Sequence, residues 1–321
     1  MIAHYSIRLD KEASFDEYIK PEFPLKSSNS SFDIFGCCNG LLGLADHMSE
    51  GNWYDLHLWN PLVRKSVAVQ FKGSGSYFTC FGFGFDELTN DHKVVAYMMP
   101  LAYAIGFQAR AEIYSLNSRI WREISIKCLR YPPHCFVGQP INLNGVAHWY
   151  VINHRKVLSD PVPRSIMTFS FKDEVFGEMM LPRGESQITP YVMRLQDSLA
   201  CIHIDENDLC WIWVMENYGV EESWTLLFKV GAPGGFGVPI GFRMNGELVM
   251  VMGNSLVSYD PKSEQVKDLV VIKGKGGEVE DYLEYYIVSV YLGRYVESLV
   301  LLDRVASAPE HIGPSDRSFL M

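Results

Sequence analysis

Short runs of alternating apolar and polar residues fill most of the chain, and helical periodicity is nearly absent. The run 209–215 is apolar on both faces, which predicts a strand covered on both sides, as in stacked sheets. A polar turn at 216–223 separates it from a second alternating run, 224–230. In that second run one face is predicted to carry Trp224, Leu226, Phe228 and Val230. The two runs predict a hairpin that forms the inner half of a small antiparallel sheet.

Similar units recur along the chain from Phe32 onward, most of them about 40 to 60 residues long, which is within the range of propeller repeats. Several contain a strand, a turn and a second strand in the same order, namely IYSLNSRIWREI (113–124), MTFSFKDEVFGEM (167–179) and LVSYDPKSEQVKDL (256–269). Repeats of about four short strands are typical of propeller blades. The sequence therefore predicts an all-β fold, a kelch-like β-propeller of about six blades.

The two ends of the chain differ from the repeats. Residues 5–9 alternate as a single strand, and the polar residues 11–31 are predicted to form a connecting loop. The sixth unit is short of strands, so the N-terminal strand could complete it and close the ring. The predicted division is an N-terminal strand and linker at 1–31, the propeller at 32–302, and a disordered tail at 303–321.

Four segments, in the expected order, carry a family resemblance. They are CNGLLGL with WNP (38–61), FGFGFDELTNDHKVV (81–95), IYSLNSRIWREI (113–124) and IWVMENYGVEESW (212–224). Together they resemble the plant F-box-associated domain of S-locus-type and kelch-like F-box proteins, over roughly residues 32–302. The N-terminal F-box of that family is missing from the sequence.

The resemblance implies a non-catalytic subunit that recognises a target protein for an SCF-type cullin ubiquitin ligase. In such proteins the F-box binds the ligase adaptor, so we expect no adaptor binding by these 321 residues alone. Adaptor and cullin would be partners only if an F-box lies upstream. The alternatives are a stand-alone kelch-like interaction scaffold and a truncated paralogue that is not coupled to ubiquitination. A propeller enzyme, for example one acting on glycans, would need carboxylates that converge at the mouth of the central channel.

Charge and composition narrow the classes of partner. The net charge of −10 argues against general binding to nucleic acid or to an anionic membrane surface, and it suits a basic target protein. No run of about 20 apolar residues is present, and the N-terminus does not resemble a secretory signal. The seven cysteines show no paired C-x-x-C spacing and are expected to be reduced core residues. These features predict a soluble protein of the cytoplasm, the nucleus or both.

No sequence motif indicates catalysis, a metal or a cofactor. The nine histidines lack H-x-x-x-H spacing, and the acidic turn 205–208 lacks the spaced final ligand of a calcium loop. The glycines of Gly82-Phe83-Gly84 are expected to let strands pack closely rather than to bind phosphate. Gly274-Lys275-Gly276-Gly277 is expected to be a flexible turn.

Two connecting segments are candidates for partner binding. The segment 98–108 is long and apolar and contains Tyr103 and Phe107, so it is predicted either to bind a partner or to pack on a neighbouring blade. The segment 153–164 concentrates positive charge on an acidic chain. Its basic residues are His154, Arg155, Lys156 and Arg164, which indicate either an electrostatic docking site or an ordinary solvated loop.

Overall fold

A computed structural model of the chain describes residues 6–11, 14–19, 32–47, 54–73, 77–100, 108–126, 133–153, 164–182, 190–231, 235–271, 291–300 and 316–320. The described residues form six four-stranded antiparallel sheets, which we number as blades in chain order, with the sheet that joins both chain ends as blade 6. The predicted β-propeller is confirmed, and the number of sheets agrees with the expected number of blades.

The strands of the first five blades follow one another in sequence. Blade 1 has β3 (Asp33–Cys38), β4 (Leu41–His47), β5 (Tyr54–Asn60) and β6 (Lys65–Phe71). Blade 2 has β7 (Tyr77–Asp86), β8 (Asp91–Pro100), β9 (Arg110–Ser115) and β10 (Ile120–Ile124). Blade 3 has β11 (Pro133–Leu143), β12 (Val146–Asn153), β13 (Arg164–Ser170) and β14 (Val175–Met180). Blade 4 has β15 (Tyr191–Leu195), β16 (Ser198–Ile204), β17 (Leu209–Met215) and β18 (Trp224–Gly231). Blade 5 has β19 (Val238–Phe242), β20 (Leu248–Met252), β21 (Ser255–Asp260) and β22 (Gln265–Val271).

Blade 6 combines the two ends of the chain. It consists of β1 (Ser6–Lys11), β2 (Ser14–Ile19), β23 (Leu292–Val296) and β24 (Asp316–Leu320), in the order β2-β1-β24-β23. β1 pairs with β24, with Ser6 opposite Leu320, so the N-terminal strand closes the ring as predicted.

Two expectations for the chain ends are wrong. Residues 14–19, predicted to be a connecting loop, form the outer strand β2, and residues 316–320, predicted to be disordered, form β24. Both segments carry charged side chains in place of clear apolar alternation, and their backbones complete the ladder of a sheet that would otherwise expose an edge.

The first strand of each of blades 1–5 and β23 of blade 6 lie at the axis, where β3, β7, β11, β15, β19 and β23 contact their neighbours. The hairpin of β17 and β18 is therefore the outer half of blade 4, because β15 is the strand that contacts β11 and β19. The prediction that this hairpin forms the inner half of its sheet is wrong. Apolar alternation identifies a strand but not its distance from the axis, since the inner and outer strands both pack against neighbouring blades.

An apolar cluster fills each seam between neighbouring blades. Between blades 1 and 2 it includes Phe35 and Phe81, and between blades 4 and 5 it includes Ile212 and Met250. Burying one such side chain contributes about 1.5–3 kcal/mol to stability. Glycines allow the closest approach: a Cβ on Gly82 would lie 2.5 Å from the Trp149 ring, which confirms the packing role expected for this residue.

Candidate functional site

The propeller has two different ends. The first and second strands of each of blades 1–5, and the third and fourth, are joined at one end, which we call the turn end. Four of these turns repeat the same form, at 61–64, 116–119, 171–174 and 261–264. In each, the last residue has a left-handed backbone, with φ between 56° and 58°. The second and third strands, and successive blades, are joined at the opposite end, which we call the loop end.

Both candidate segments join a second strand to a third, so both belong to the loop end of neighbouring blades. The first connects β8 to β9 in blade 2, and the second connects β12 to β13 in blade 3. Five of the residues predicted to bind a partner lie outside the described part of the chain. They are Tyr103, Phe107, His154, Arg155 and Lys156.

Arg164 is the one predicted site residue that the structure describes. It begins β13 and is half-buried, and its side chain lies near Tyr150. Burial raises the pKa of Tyr150 to about 12, and the positive charge of Arg164 acts in the opposite direction. Arg164 therefore places a positive charge at the loop end of the seam between blades 3 and 4.

Trp211 is a half-buried aromatic residue near the loop end of blade 4. Its indole stacks on His203 at a centroid distance of 5.6 Å and an interplanar angle of 11°. The ammonium of Lys229 lies 3.9 Å from the ring centroid, and the indole Nε1–H donates to Asp205 Oδ2 at 2.9 Å. The residues belong to β16, β17, β18 and the turn between β16 and β17, so three strands and one turn fix the ring.

A β-bulge creates this arrangement. It also contradicts the prediction that Trp224, Leu226, Phe228 and Val230 share one face of the strand. The register of β17 and β18 shifts between Ile212 and Trp213, so that Leu227 is extra and Lys229 stands opposite Trp211. Regular alternation from Trp224 would have placed Phe228 opposite Trp211. Phe228 instead stands opposite the buried Ile212. The sequence indicated Trp211 but not its neighbours, because a bulge cannot be located from alternation alone.

The turn 216–223, which carries part of the family resemblance, fastens blade 4 to blade 3. Nδ1–H of His148 donates to the Ile141 carbonyl, and Nε2 accepts the hydroxyl of Tyr218 at 2.8 Å. Glu221 accepts the Met180 amide at 3.1 Å, and the Trp224 indole donates to the Met180 carbonyl at 3.0 Å. These contacts assign a structural role to the motif.

The axis is closely packed where blades 1–3 meet. Nδ2 of Asn142 donates to the carbonyls of Cys37 (3.2 Å) and Phe83 (2.6 Å), which joins three inner strands. A Cβ on Gly36 would lie 2.9 Å from the Cβ of Phe83. In the turn between β15 and β16, the carboxylate of Asp197 pairs with Arg194 at 2.9 Å and with Arg294 at 3.6 Å.

Burial keeps two thiols and two imidazoles of the described residues in their neutral forms at pH 7. Burial raises the pKa of the Cys201 and Cys210 thiols to about 12, which disfavours the nucleophilic thiolate. Burial lowers the pKa of His92 and His148 to about 4. Within the described ranges no three His, Cys, Asp or Glu side chains are grouped so that they could hold a metal ion, and no helix is long and apolar enough to cross a membrane.

A family model and several related proteins point to the same family. The model of the F-box associated beta propeller domain matches residues 2–302. F-box protein At3g07870 of Arabidopsis thaliana is 28% identical over 76% of this chain, and F-box protein CPR1 of the same plant is 24% identical over 71%. The F-box/kelch-repeat protein At3g23880, also from Arabidopsis thaliana, is 24% identical over 62%. The matched regions span 67%, 58% and 53% of these relatives' own lengths.

Proposed function

The chain belongs to the family of F-box associated β-propeller domains, and on this premise we propose that it recognises a target protein through its loop end. The observation that carries the proposal is the contrast between the two ends. The turn end is made largely of short turns that repeat from blade to blade, and the turn 216–223 is engaged in contacts with blade 3. The loop end holds the long connections and the half-buried Trp211.

Recognition by the loop end follows from rigidity and chemistry. Loops on a rigid scaffold are where binding residues concentrate, since the scaffold holds them in place without taking part. The loop end also varies in charge, with Arg164 and the basic sequence 154–156 at blade 3 and the acidic turn 205–208 at blade 4. The net charge of −10 favours a basic target overall.

The relatives are named F-box proteins, which supports a role as the substrate receptor of an SCF-type ubiquitin ligase. Coupling to the adaptor and the cullin would require an F-box. We expect the 321-residue chain not to bind the adaptor; a stable purified complex of the two would contradict this. The second candidate, a scaffold that binds a target without delivering it for ubiquitination, follows if no F-box is joined to the chain. A role in such a ligase implies action in the cytoplasm or the nucleus.

A differential capture experiment tests the proposal. The immobilised chain is exposed to plant extract beside two charge-reversed variants, Arg164→Glu at the loop end and Lys262→Glu in an exposed turn of blade 5 at the turn end. A third variant replaces residues 154–163 by a glycine-serine linker of equal length. We expect quantitative mass spectrometry to find proteins that bind the wild type and Lys262→Glu but not the other two variants. The proposal is wrong if the captured proteins are lost only with Lys262→Glu.

A further inference from the structure

The indole of Trp211 is held in one orientation before any partner arrives. Its edge is fixed by the hydrogen bond to Asp205 Oδ2, and one face is covered by His203. Asp205 Oδ1 in turn accepts the amides of Asn207 at 2.9 Å and Leu209 at 3.0 Å, which fixes the carboxylate. Rigid aromatic residues lose little conformational entropy on binding, so Trp211 has the properties of an anchor point.

The second face of Trp211 already carries a cation. Lys229 Nζ lies 3.9 Å from the ring centroid, on an exposed side chain of the outer strand β18. An exposed cation–π contact of this kind is weak, and lysine reaches it through a flexible four-carbon chain. Exchange of Lys229 for another cation therefore costs little, and the ring face is available to a competitor.

The surroundings of the ring favour a basic competitor. Asp205 is ionised, because the indole hydrogen bond and two backbone amides lower its pKa. Glu206 and Asp208 are exposed in the same turn. Guanidinium groups stack on indole more readily than ammonium groups do, because they are planar and weakly hydrated.

We propose that Trp211 is a docking point for an arginine side chain in a basic segment of the target, which replaces Lys229 on the indole face and faces the carboxylates of the 205–208 turn. This inference rests on the proposed function and specifies the chemistry of the partner at blade 4. Lys229 then acts as an internal competitor that occupies the site in the free protein.

If Lys229 competes for the indole face, its removal should strengthen binding. Lys229→Gln should tighten binding about two- to fivefold, because it removes both the competing cation and a like charge. Asp205→Asn should weaken binding by a similar factor, since it removes the charge that attracts the guanidinium. If Lys229 and Asp205 only held the indole in place, both substitutions would weaken binding.

The test uses tetra-arginine peptide as the probe and the full chain at low salt. Binding is followed by NMR through the indole Nε1–H signal of Trp211, assigned by its loss in Trp211→Phe. Lys262→Gln also removes one positive charge, but at the turn end. It therefore measures how far the change in net charge alone alters peptide binding. Trp121→Phe is the matched control for Trp211→Phe, because Trp121 is also half-buried in the outer half of its blade and its indole also donates a hydrogen bond.

We expect saturable movement of the Trp211 signal, tighter binding with Lys229→Gln than with Lys262→Gln, and weaker binding with Asp205→Asn and Trp211→Phe but not with Trp121→Phe. Tetra-glutamate should leave the signal in place. The inference is overturned if tetra-arginine does not move this signal, or if Lys229→Gln weakens binding. Because the probe is a peptide, this experiment is independent of the capture experiment. Tetra-arginine can fail to bind at Trp211 while the loop end still captures a target. Equally, tetra-arginine can bind at Trp211 while no target is captured.

Discussion

His148 and Tyr218 illustrate how single side chains fasten the blades together. His148 is fully buried, and burial lowers its pKa to about 4, so the ring is neutral at pH 7. Since Nδ1–H donates to a carbonyl, Nε2 must be the acceptor for the Tyr218 hydroxyl. The contact joins β12 of blade 3 to the long turn of blade 4.

Replacing Tyr218 by Phe should lower the free energy of unfolding by about 1–3 kcal/mol, because it leaves a buried acceptor without its donor. Urea denaturation of the purified chain measures the change. Val220→Ala, in the same turn at a side chain that is 46% exposed, should change stability by less than about 0.5 kcal/mol. Equal losses in the two variants would mean that the turn, rather than the hydrogen bond, provides the stability.

The sequence identified several residues correctly and missed others for a physical reason. Gly82 was expected to allow close packing, and its contact with the Trp149 ring confirms this. Trp211 was identified as part of a strand, but its three neighbours come from other strands and a turn. Such neighbours depend on register, and the register of β18 depends on the bulge at Leu227.

The strands were largely predictable, because alternation and turn residues recur from blade to blade. The strands β2 and β24 were not, since their sequences lack clear apolar alternation although their backbones complete the ladder of blade 6. Closure of the ring by the N-terminal strand was predictable from a different fact, that a propeller short of one strand would expose an edge.

An ionic cluster holds the N-terminal hairpin of β1 and β2 against blade 5. The Arg243 side chain is 3% exposed; its Nε donates to Asp10 at 2.8 Å and its Nη1 to Glu247 at 2.6 Å. The other Asp10 oxygen accepts the Met244 amide at 2.7 Å. The Arg243 guanidinium also lies 5.6 Å from the Phe15 ring. Ring closure therefore depends on a buried charge in addition to strand pairing.

Asp10→Asn should destabilise the chain by about 3 kcal/mol, because it leaves part of a buried positive charge uncompensated. Glu17→Gln is the matched control on the same hairpin. Glu17 pairs with Arg8 at 3.6 Å and is 46% exposed, so its loss should cost at most about 1 kcal/mol. Thermal unfolding of the two variants compares them directly. If both shift the melting temperature equally, the buried cluster does not secure the ring.

At the scale of the whole molecule, buried neutral histidines make stability depend on pH. In the folded chain the pKa of both His92 and His148 is about 4, because both are buried, whereas an unfolded histidine has a pKa of about 6.5. Between these values the unfolded state binds more protons, so stability is full above pH 6.5 and falls as the pH drops toward 4.

Each of the two histidines should account for about 3 kcal/mol of this loss once pH 4 is reached. Urea denaturation at a series of pH values measures the slope. His92→Leu should reduce the slope of stability against pH by about one proton, and the apolar replacement is tolerable because His92 Nε2 has no hydrogen-bond partner among the described residues. A slope that is unchanged in this variant would show that His92 does not titrate in this range.

The two ends of the propeller differ in structure. Short repeated turns and inter-blade contacts stabilise the turn end, while the connections between second and third strands leave the loop end free to vary. Blade 6 brings the ends of the described chain to the same place, with Ser6 opposite Leu320, and its strand directions put both at the loop end. A domain joined to either end would thus be attached on the side where the target is proposed to bind.

Hydrogen–deuterium exchange, measured by mass spectrometry with and without the target found by differential capture, locates the binding surface most directly. We expect slower exchange in the loop-end segments 101–109, 154–163 and 205–208, and unchanged exchange in the turns 61–64, 116–119 and 171–174. Protection confined to those turns, with none at the loop end, would contradict recognition through the loop end.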